Sequence, residues 1–288
     1  MATLKSSLIT TLYNEASNIQ VFLQSYKEQT RYADEFIILD GGSNDGTPDI
    51  ITQFAQENPQ LNIRVIVDTS CSKKHTDGAI AKGRNEAITK SKHPYIAVTD
   101  AGCTLDRHWF EEIIRPFENS SVDVVAGWFK AKANTPFEAC YIKTTMPTLQ
   151  SIDPEGFLPS SRSIAFKKSC WKSAGYYPES TYTAEDTMFD LQMKKAGCQF
   201  LFTSKAVVYW ESPKTLSEAT AKHYHYAYGD GQLHINLLKN LLRVPLLPLT
   251  LLRHRLKFRD SEAYQLKRAL VLAHSRGYLH GLIKGSKR

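Results

Sequence analysis

The first half of the chain alternates short β-branched apolar runs with stretches whose apolar residues recur at helical spacing. Ser6–Leu12, Glu35–Leu39, Ile63–Asp68 and Tyr95–Thr99 read as strands, and Asn18–Gln29, Thr47–Glu57 and Gly78–Thr89 as the helices between them. This series predicts a mostly parallel sheet covered by helices. Beyond Phe129 the pattern is irregular until a strand at Ser163–Phe166 and a helix starting near Asp186, followed by the strand Gln199–Thr203 and the run Ala206–Trp210. Thr47-Pro48 has a helix-start signature, a capping hydroxyl before proline, which makes DGGSNDGT (40–47) a strand-to-helix loop. Loops at the carboxyl ends of strands are where open α/β sheets bind ligands.

Composition narrows the class. The 288 residues are 42% hydrophobic and 23% charged, enough for a full core and unlike a disordered chain. The net charge of +7 is unevenly spread: 12 of the 36 basic and 2 of the 29 acidic residues lie from Leu237 onward, leaving that segment at +10 and the remainder at −3. This argues against nucleic acid as the partner and predicts a basic tail on a mildly acidic domain. The five cysteines form no CxxC pair and no disulfide framework, and the start MATLKSSLITTLYNE lacks the pattern of a signal peptide, so a cytoplasmic location is expected. Leu237–Leu252 is apolar but interrupted by Lys239, Arg243, Pro245 and Pro248, which suits lying on a bilayer and not crossing one.

Three acidic sites carry candidate chemistry. The loop after Asp40 is not a P-loop, since Thr47 stands where lysine is required, and its glycines Gly41, Gly42 and Gly46 fit neither a dinucleotide fingerprint nor an EF-hand. An acid followed by a permissive turn remains, either a ligand contact or a turn aspartate bonding its own backbone. In TDAGCTLD (99–106), Asp106 can cap a helix near Arg107, whereas Asp100 ends an apolar strand where a ribose hydroxyl or a metal-bound diphosphate would lie. In TAEDTMFDLQMKKAG (183–197), Glu185 and Asp186 open a helix, a position that also suits ordinary capping acids.

Taken in order, TTLYNE (10–15), FIILDGGSNDGT (36–47), GRNEAI (83–88), YIAVTDAGC (95–103), AFKKSCWKSAGYYPE (165–179), AEDTMFDLQMKKAG (184–197) and AVVYW (206–210) resemble the family 2 glycosyltransferases of the GT-A fold, from about Leu8 to about Gly231. The resemblance implies an α/β GT-A domain over 1–236 with a basic helical extension over 237–288. It implies transfer of a sugar from a nucleotide diphosphate carrier to an acceptor hydroxyl with inversion, as in the synthesis of cell-surface polysaccharide or glycolipid. Asp186 matches the base that deprotonates the acceptor, with Glu185 beside it. Asp40 matches the acid that contacts the nucleotide base, and Thr11, Glu15, Gly42 and Arg84 fall in motifs lining the donor site. Asp100 matches the first acid of the metal-and-ribose motif.

Two positions depart from that pattern. Gly102 stands where the motif has its second acid, and Trp210 where many relatives have a histidine ligand. A bound Mg2+ or Mn2+ is therefore expected to be weak or dispensable, with Arg162, Lys222, His223 or His225 supplying fixed positive charge instead. Arg162 suits a phosphate or an acceptor carboxylate, or a buried structural role. Lys222, His225 and Tyr226 share one helical face, with Tyr224 and Tyr228 on another. The rival to an enzyme is a catalytically silent nucleotide-sugar or carbohydrate-binding subunit. A nucleotidyltransferase would need a glycine- and lysine-rich loop that TTLYNEASN (10–18) lacks. The tail is expected to dock on an anionic membrane at its inner face, where a lipid-linked acceptor is presented, through a helix over 261–284 with Ala263, Leu266, Leu270 and Ala273 on one face.

Overall fold

The computed structural model describes residues 4–181, 183–243, 245–258 and 261–285. In chain order the elements are β1 Ser6–Leu12, α1 Ile19–Lys27, β2 Glu35–Asp40, α2 Thr47–Glu57, β3 Ile63–Val67, α3 Ala79–Thr89, β4 Tyr95–Val98, β5 Cys103–Leu105, α4 Trp109–Ile114 and β6 Val124–Lys132. They continue with α5 Pro136–Thr145, β7 Ile164–Lys167, α6 Lys168–Ser173, α7 Glu185–Lys195, β8 Phe200–Glu211, α8 Leu216–Gln232, α9 Leu237–Arg243, α10 Leu247–Lys257 and α11 Ser261–Gly285. Among the described residues an eight-stranded sheet runs β3-β2-β1-β4-β7-β6-β8-β5. The first four strands pair in parallel, as the alternating pattern predicted, while β7 joins β4 and β6 antiparallel and β5 joins β8 antiparallel.

Side chains alternate across the pleat and divide the core into two layers. Leu8, Phe36, Ile38, Ala97, Val125 and Ala165 pack with α1 and α4 on one face, and Ile9, Ile37, Ile96, Val98, Val124 and Phe166 pack with α3, α6 and α7 on the other. Both faces are covered, which is why these strands read as near-continuous apolar runs.

The chain divides into two compact units, Met1–Lys130 with Leu149–Trp210, and Ala131–Thr148 with Glu211–Arg288. These units group residues differently from a division at 236/237, since α5 and α8 fall with the C-terminal helices. The helix α5 lies in the stretch that looked irregular. Its start is a capping box, with the Thr135 side chain accepting from the Glu138 backbone and Glu138 reaching back, and Pro136 at the first helical position. The two apolar runs Gln199–Thr203 and Ala206–Trp210 form one continuous strand, β8.

In the second unit α11 packs along α8 through glycines. A Cβ on Gly277 or Gly281 would sit 2.2 Å and 2.0 Å from the carbonyl oxygens of Tyr224 and Tyr228, so only glycine permits this approach. The face of α11 predicted to meet a membrane is consequently interior: Ala263, Leu266 and Leu270 are buried, and the Lys267 ammonium donates to the Thr144 carbonyl. A run of exposed apolar side chains lies instead on and between α9 and α10, among them Leu238, Leu242, Leu246, Leu249, Leu252 and Leu256. Arg259, Lys287 and Arg288, which contribute to the basic tail, lie outside the described residues. Among the described residues no helix is long and apolar enough to cross a membrane.

Candidate active site

Asp40 ends β2 fully buried, and one carboxylate oxygen, Oδ1, accepts from the backbone N–H groups of Gly42 at 2.7 Å and Ser43 at 2.6 Å. Its other oxygen, Oδ2, is buried with no hydrogen-bond partner. A buried acceptor without a donor is costly, and such an atom at the carboxyl edge of a parallel sheet is suited to a ligand N–H. Gly42 makes the turn at φ 91°, where any Cβ would also press to 2.8 Å on Thr69.

The loop after β2 is latched to the loop after β1. Asn44 N–H donates to Asn14 Oδ1 at 3.0 Å, Asn14 N–H to Ser43 Oγ at 2.7 Å, and Ala16 N–H to Asp45 Oδ2 at 3.0 Å. Thr47 joins this latch and does not cap α2. Its hydroxyl donates to Asp45 at 2.6 Å and accepts from Glu15 N–H at 2.9 Å, while Gly46 in the left-handed region is the N-cap. The latch keeps Glu15 beside the sheet edge, where partial burial and then repulsion from Asp45 and Asp100 push its carboxyl above the usual range. Thr11 lies on β1 beneath α3, and a Cβ on Gly83 would come within 3.1 Å of its methyl. That glycine lets α3 settle on the strand with Arg84 at the strand end.

Arg84 is the hub. Its side chain is 4% exposed, and it donates to Glu185 at 2.8 Å and Asp100 at 2.9 Å, with the Tyr177 ring 5.4 Å from the guanidinium. Burial opposes its charge, and the carboxylates of Asp100 and Glu185 outweigh burial, so its pKa is raised. One arginine thereby ties the end of β4 to the start of α7. Glu185 is buried, and desolvation lifts its carboxyl above the usual range, with Arg84 lowering it and Asp186 raising it. Asp186 is half-buried and makes no ion pair among the described residues, so its carboxylate differs in environment from that of its neighbour. The turn before this pair is strained, with Ala184 at φ 67°.

Arg162 approaches the opposite side of Asp100. Its Nε is 3.8 Å from Asp100 Oδ2, its Nη1 donates to Ser160 at 3.1 Å, and its guanidinium carbon lies 5.1 Å from the centroid of the Trp210 indole. Trp210 pairs with Cys103 in the β5–β8 ladder, next to Gly102, where a side chain would meet open space. The residues here do not fit a divalent cation. Both Asp100 oxygens face guanidinium groups, the neighbouring positions are Gly102 and Trp210, and among the described residues no three His, Cys, Asp or Glu side chains are grouped to hold a metal ion.

The structure thus brings Asp40, Gly42, Thr11 and Glu15 to one sheet edge, and gathers Arg84, Asp100, Arg162, Glu185, Asp186 and Trp210 in the same unit. Lys222 and His225 lie on α8 in the second unit, with Lys222 5.7 Å from the Tyr226 ring centroid and Tyr224 stacked on Tyr228. His223, expected as a source of positive charge, is not one at neutral pH. Its Nε2 meets the Tyr141 hydroxyl at 3.0 Å, and burial, with Lys267 and Lys222, lowers its pKa to about 4. Asp106, expected to cap a helix at Arg107, accepts from His108 N–H and from the Tyr209 hydroxyl, and α4 begins two residues later.

Sequence reading missed Asp190. It is 1% exposed, one turn beyond Asp186 on α7; burial, and then Asp186, raises its carboxyl well above the usual range, and Oδ2 has no partner. The signal was available in the i, i+4 spacing of the two acids.

Residues 7–152, half of the chain, match the family model described as glycosyl transferase family 2. The chain belongs to that family. It is similar to glycosyltransferase AglE of Haloferax volcanii, at 25% identity over 240 residues covering 82% of this chain and 75% of that protein. Among solved structures, mannosyltransferase PcManGT from Pyrobaculum calidifontis in complex with GDP-Man and Mn2+ superposes with a TM-score of 0.62 at 18% identity, covering 98% of this chain and 73% of that one. The 1-349 fragment of S. aureus TarS in complex with UDP-GlcNAc gives 0.61 at 15% identity, covering 98% and 92%. These likenesses show the GT-A fold, and family membership makes the protein a glycosyltransferase enzyme.

Proposed function

We propose that this glycosyltransferase moves a sugar from a nucleotide diphosphate donor to an acceptor hydroxyl with inversion, using Asp186 as the base. The observation that carries the reading is the Arg84 bridge, which holds the Asp100 end of the sheet and the Glu185-Asp186 helix start in one cluster. Asp40 Oδ2, buried without a partner, is the acceptor for an N–H of the nucleotide base. The named ligands of the structural neighbours, GDP-Man and UDP-GlcNAc, support a donor of this class.

In the reaction the acceptor oxygen forms a bond to the anomeric carbon on the side opposite the diphosphate. Its proton passes to the Asp186 carboxylate, and the bond to the diphosphate oxygen breaks with its electron pair. Glu185, fixed by Arg84, orients the first turn of α7, so that the adjacent carboxylate meets the acceptor. Asp190, buried one turn further along the same helix, has its carboxyl raised well above the usual range by burial and then by Asp186. We further propose that the segment of exposed leucines from Leu238 to Leu256, with Lys239, Arg253, Arg255 and Lys257, lies on an anionic membrane where a lipid-linked acceptor is presented.

The test of the reaction is Asp186→Asn. Loss of a general base lowers turnover by about 10²–10⁴-fold, while binding of the nucleoside diphosphate product stays as in the wild type. Turnover near the wild-type value removes Asp186 from this role.

A further inference from the structure

We infer that Arg162, stacked on Trp210 beside Asp100, supplies the positive charge that stabilises the departing diphosphate in place of a divalent cation. The inference deepens the nucleotide-sugar reading above and rests on it. Three features of the cluster carry it.

The first is the state of Asp100. A cation needs carboxylate oxygens turned toward it, yet Oδ1 of Asp100 accepts from Arg84 at 2.9 Å and Oδ2 faces Arg162 Nε at 3.8 Å. The neighbouring position is Gly102 and the strand opposite presents Trp210, neither of which offers a carboxylate. The second is the division of labour between the arginines. Arg84 is 4% exposed and hydrogen-bonded to two acids, so its charge is committed to holding the fold of the site. Arg162 is 20% exposed, and its approach to Asp100 exceeds hydrogen-bond length, a contact that a phosphate oxygen can displace. The third is Trp210. An indole face holds a guanidinium by attraction to its π cloud without neutralising it, so the ring helps to fix the cation in place beside Asp100.

Position agrees with this role. Asp40 ends β2 and Asp100 follows β4, with β1 between them, so the two sites stand about 10 Å apart along the carboxyl edge. A nucleotide base at Asp40 would direct its phosphates toward Asp100 and Arg162. When the anomeric bond breaks, the diphosphate gains one negative charge, and the N–H groups of Arg162 donate to the oxygen that bears it. The guanidinium keeps its proton throughout, so the leaving group departs as an anion.

The experiment titrates UDP and GDP into the full chain by calorimetry, in excess EDTA and then with Mn2+, for the wild type, Arg162→Gln, Arg162→Lys and Gly102→Asp. Tryptophan fluorescence checks that each variant is folded. In the wild type the diphosphate that binds should do so with the same affinity in EDTA and in Mn2+. Arg162→Gln should weaken it by about tenfold or more, equivalent to ~1.4 kcal/mol, while uridine or guanosine, which lack phosphate, bind unchanged. Arg162→Lys should recover part of the loss. Gly102→Asp, placed in open space, should make binding respond to Mn2+. Turnover of Arg162→Gln should fall by about 10²–10³-fold, as when one preorganised donor to a developing anion is removed. Wild-type binding that requires Mn2+, or unaltered affinity in Arg162→Gln, overturns the fixed-charge assignment alone. Binding of neither diphosphate under either condition overturns the nucleotide-sugar reading and this inference with it.

Discussion

Replacing Arg84 by Met keeps the volume of the hub and removes its charge, and the cost can be worked from the burial of its partners. Asp100 is 37% exposed and keeps Arg162 nearby, so water and that guanidinium absorb most of its loss. Glu185 is 10% exposed at the side chain and has Asp186 beside it, so its charge is left buried and uncompensated. Such a break costs about 3–5 kcal/mol when the charge must stay. Here a carboxyl can take up a proton, and the penalty is capped by the work of keeping it protonated above its ordinary value of 4.5. At ~1.36 kcal/mol per pH unit the cap is about 3.4 kcal/mol at pH 7 and about 1.4 kcal/mol at pH 5.5. The sign follows from linkage. The folded variant holds one more proton than the unfolded chain, so its stability falls as pH rises above the ordinary carboxylate value. Urea unfolding followed by tryptophan fluorescence reads the right unit, because Trp109, Trp128, Trp171 and Trp210 all lie within it. The expected loss is about 3 kcal/mol at pH 7, shrinking by about 2 kcal/mol at pH 5.5, with most of the pH 7 loss restored by adding Glu185→Gln. A loss that is flat across pH, or that Glu185→Gln leaves untouched, would refute the account of the hub.

Three further outcomes are expected. Asp40→Asn preserves the shape of the turn but places an N–H where the unpartnered oxygen lies, and it should weaken UDP or GDP binding by about 10–100-fold, the worth of one hydrogen bond to a charged group; an unchanged dissociation constant removes Asp40 from the pocket. Substituting Leu242, Leu249, Leu252 and Leu256 by Ser should abolish co-sedimentation with anionic vesicles, since each leucine buried in the interface contributes about 1.5–3 kcal/mol, whereas Leu266→Ser should instead destabilise the fold; retained vesicle binding by the quadruple variant rejects docking through α9 and α10. Gly281→Ala puts a methyl 2.0 Å from the Tyr228 carbonyl oxygen, and separation of α8 from α11 should cost about 1–3 kcal/mol, read as a lower melting temperature by circular dichroism. An unshifted melt would show that the helices do not rest on that contact.

Much of the fold is legible along the chain because period and turn chemistry are local. The runs Ser6–Leu12 and Glu35–Asp40 are apolar on both faces and become parallel strands covered on both sides, and the acids that follow β2 and β4 fall at the ligand-binding edge by topology alone. The capping box at Thr135 and Glu138 and the i, i+4 pair Asp186 and Asp190 were equally local: the first stands in a stretch without clear periodicity, and the second inside the helix read as starting near Asp186.

What the sequence by itself determined is which residues are apolar, where elements begin and which acids follow which strands. What only the tertiary structure decided is who meets whom. Arg84 and Glu185 are 101 positions apart, and nothing in either neighbourhood indicates that one guanidinium would join β4 to α7. Arg162 reaches Trp210 only because β7 and β8 enter the same sheet after β4. The apolar stripe of α11 is as evident in sequence as the leucines of α9 and α10, yet one is buried on α8 and the other is exposed. Periodicity records that a helix has an apolar face, and long-range packing, here a line of glycines that lets two backbones approach, determines what covers it.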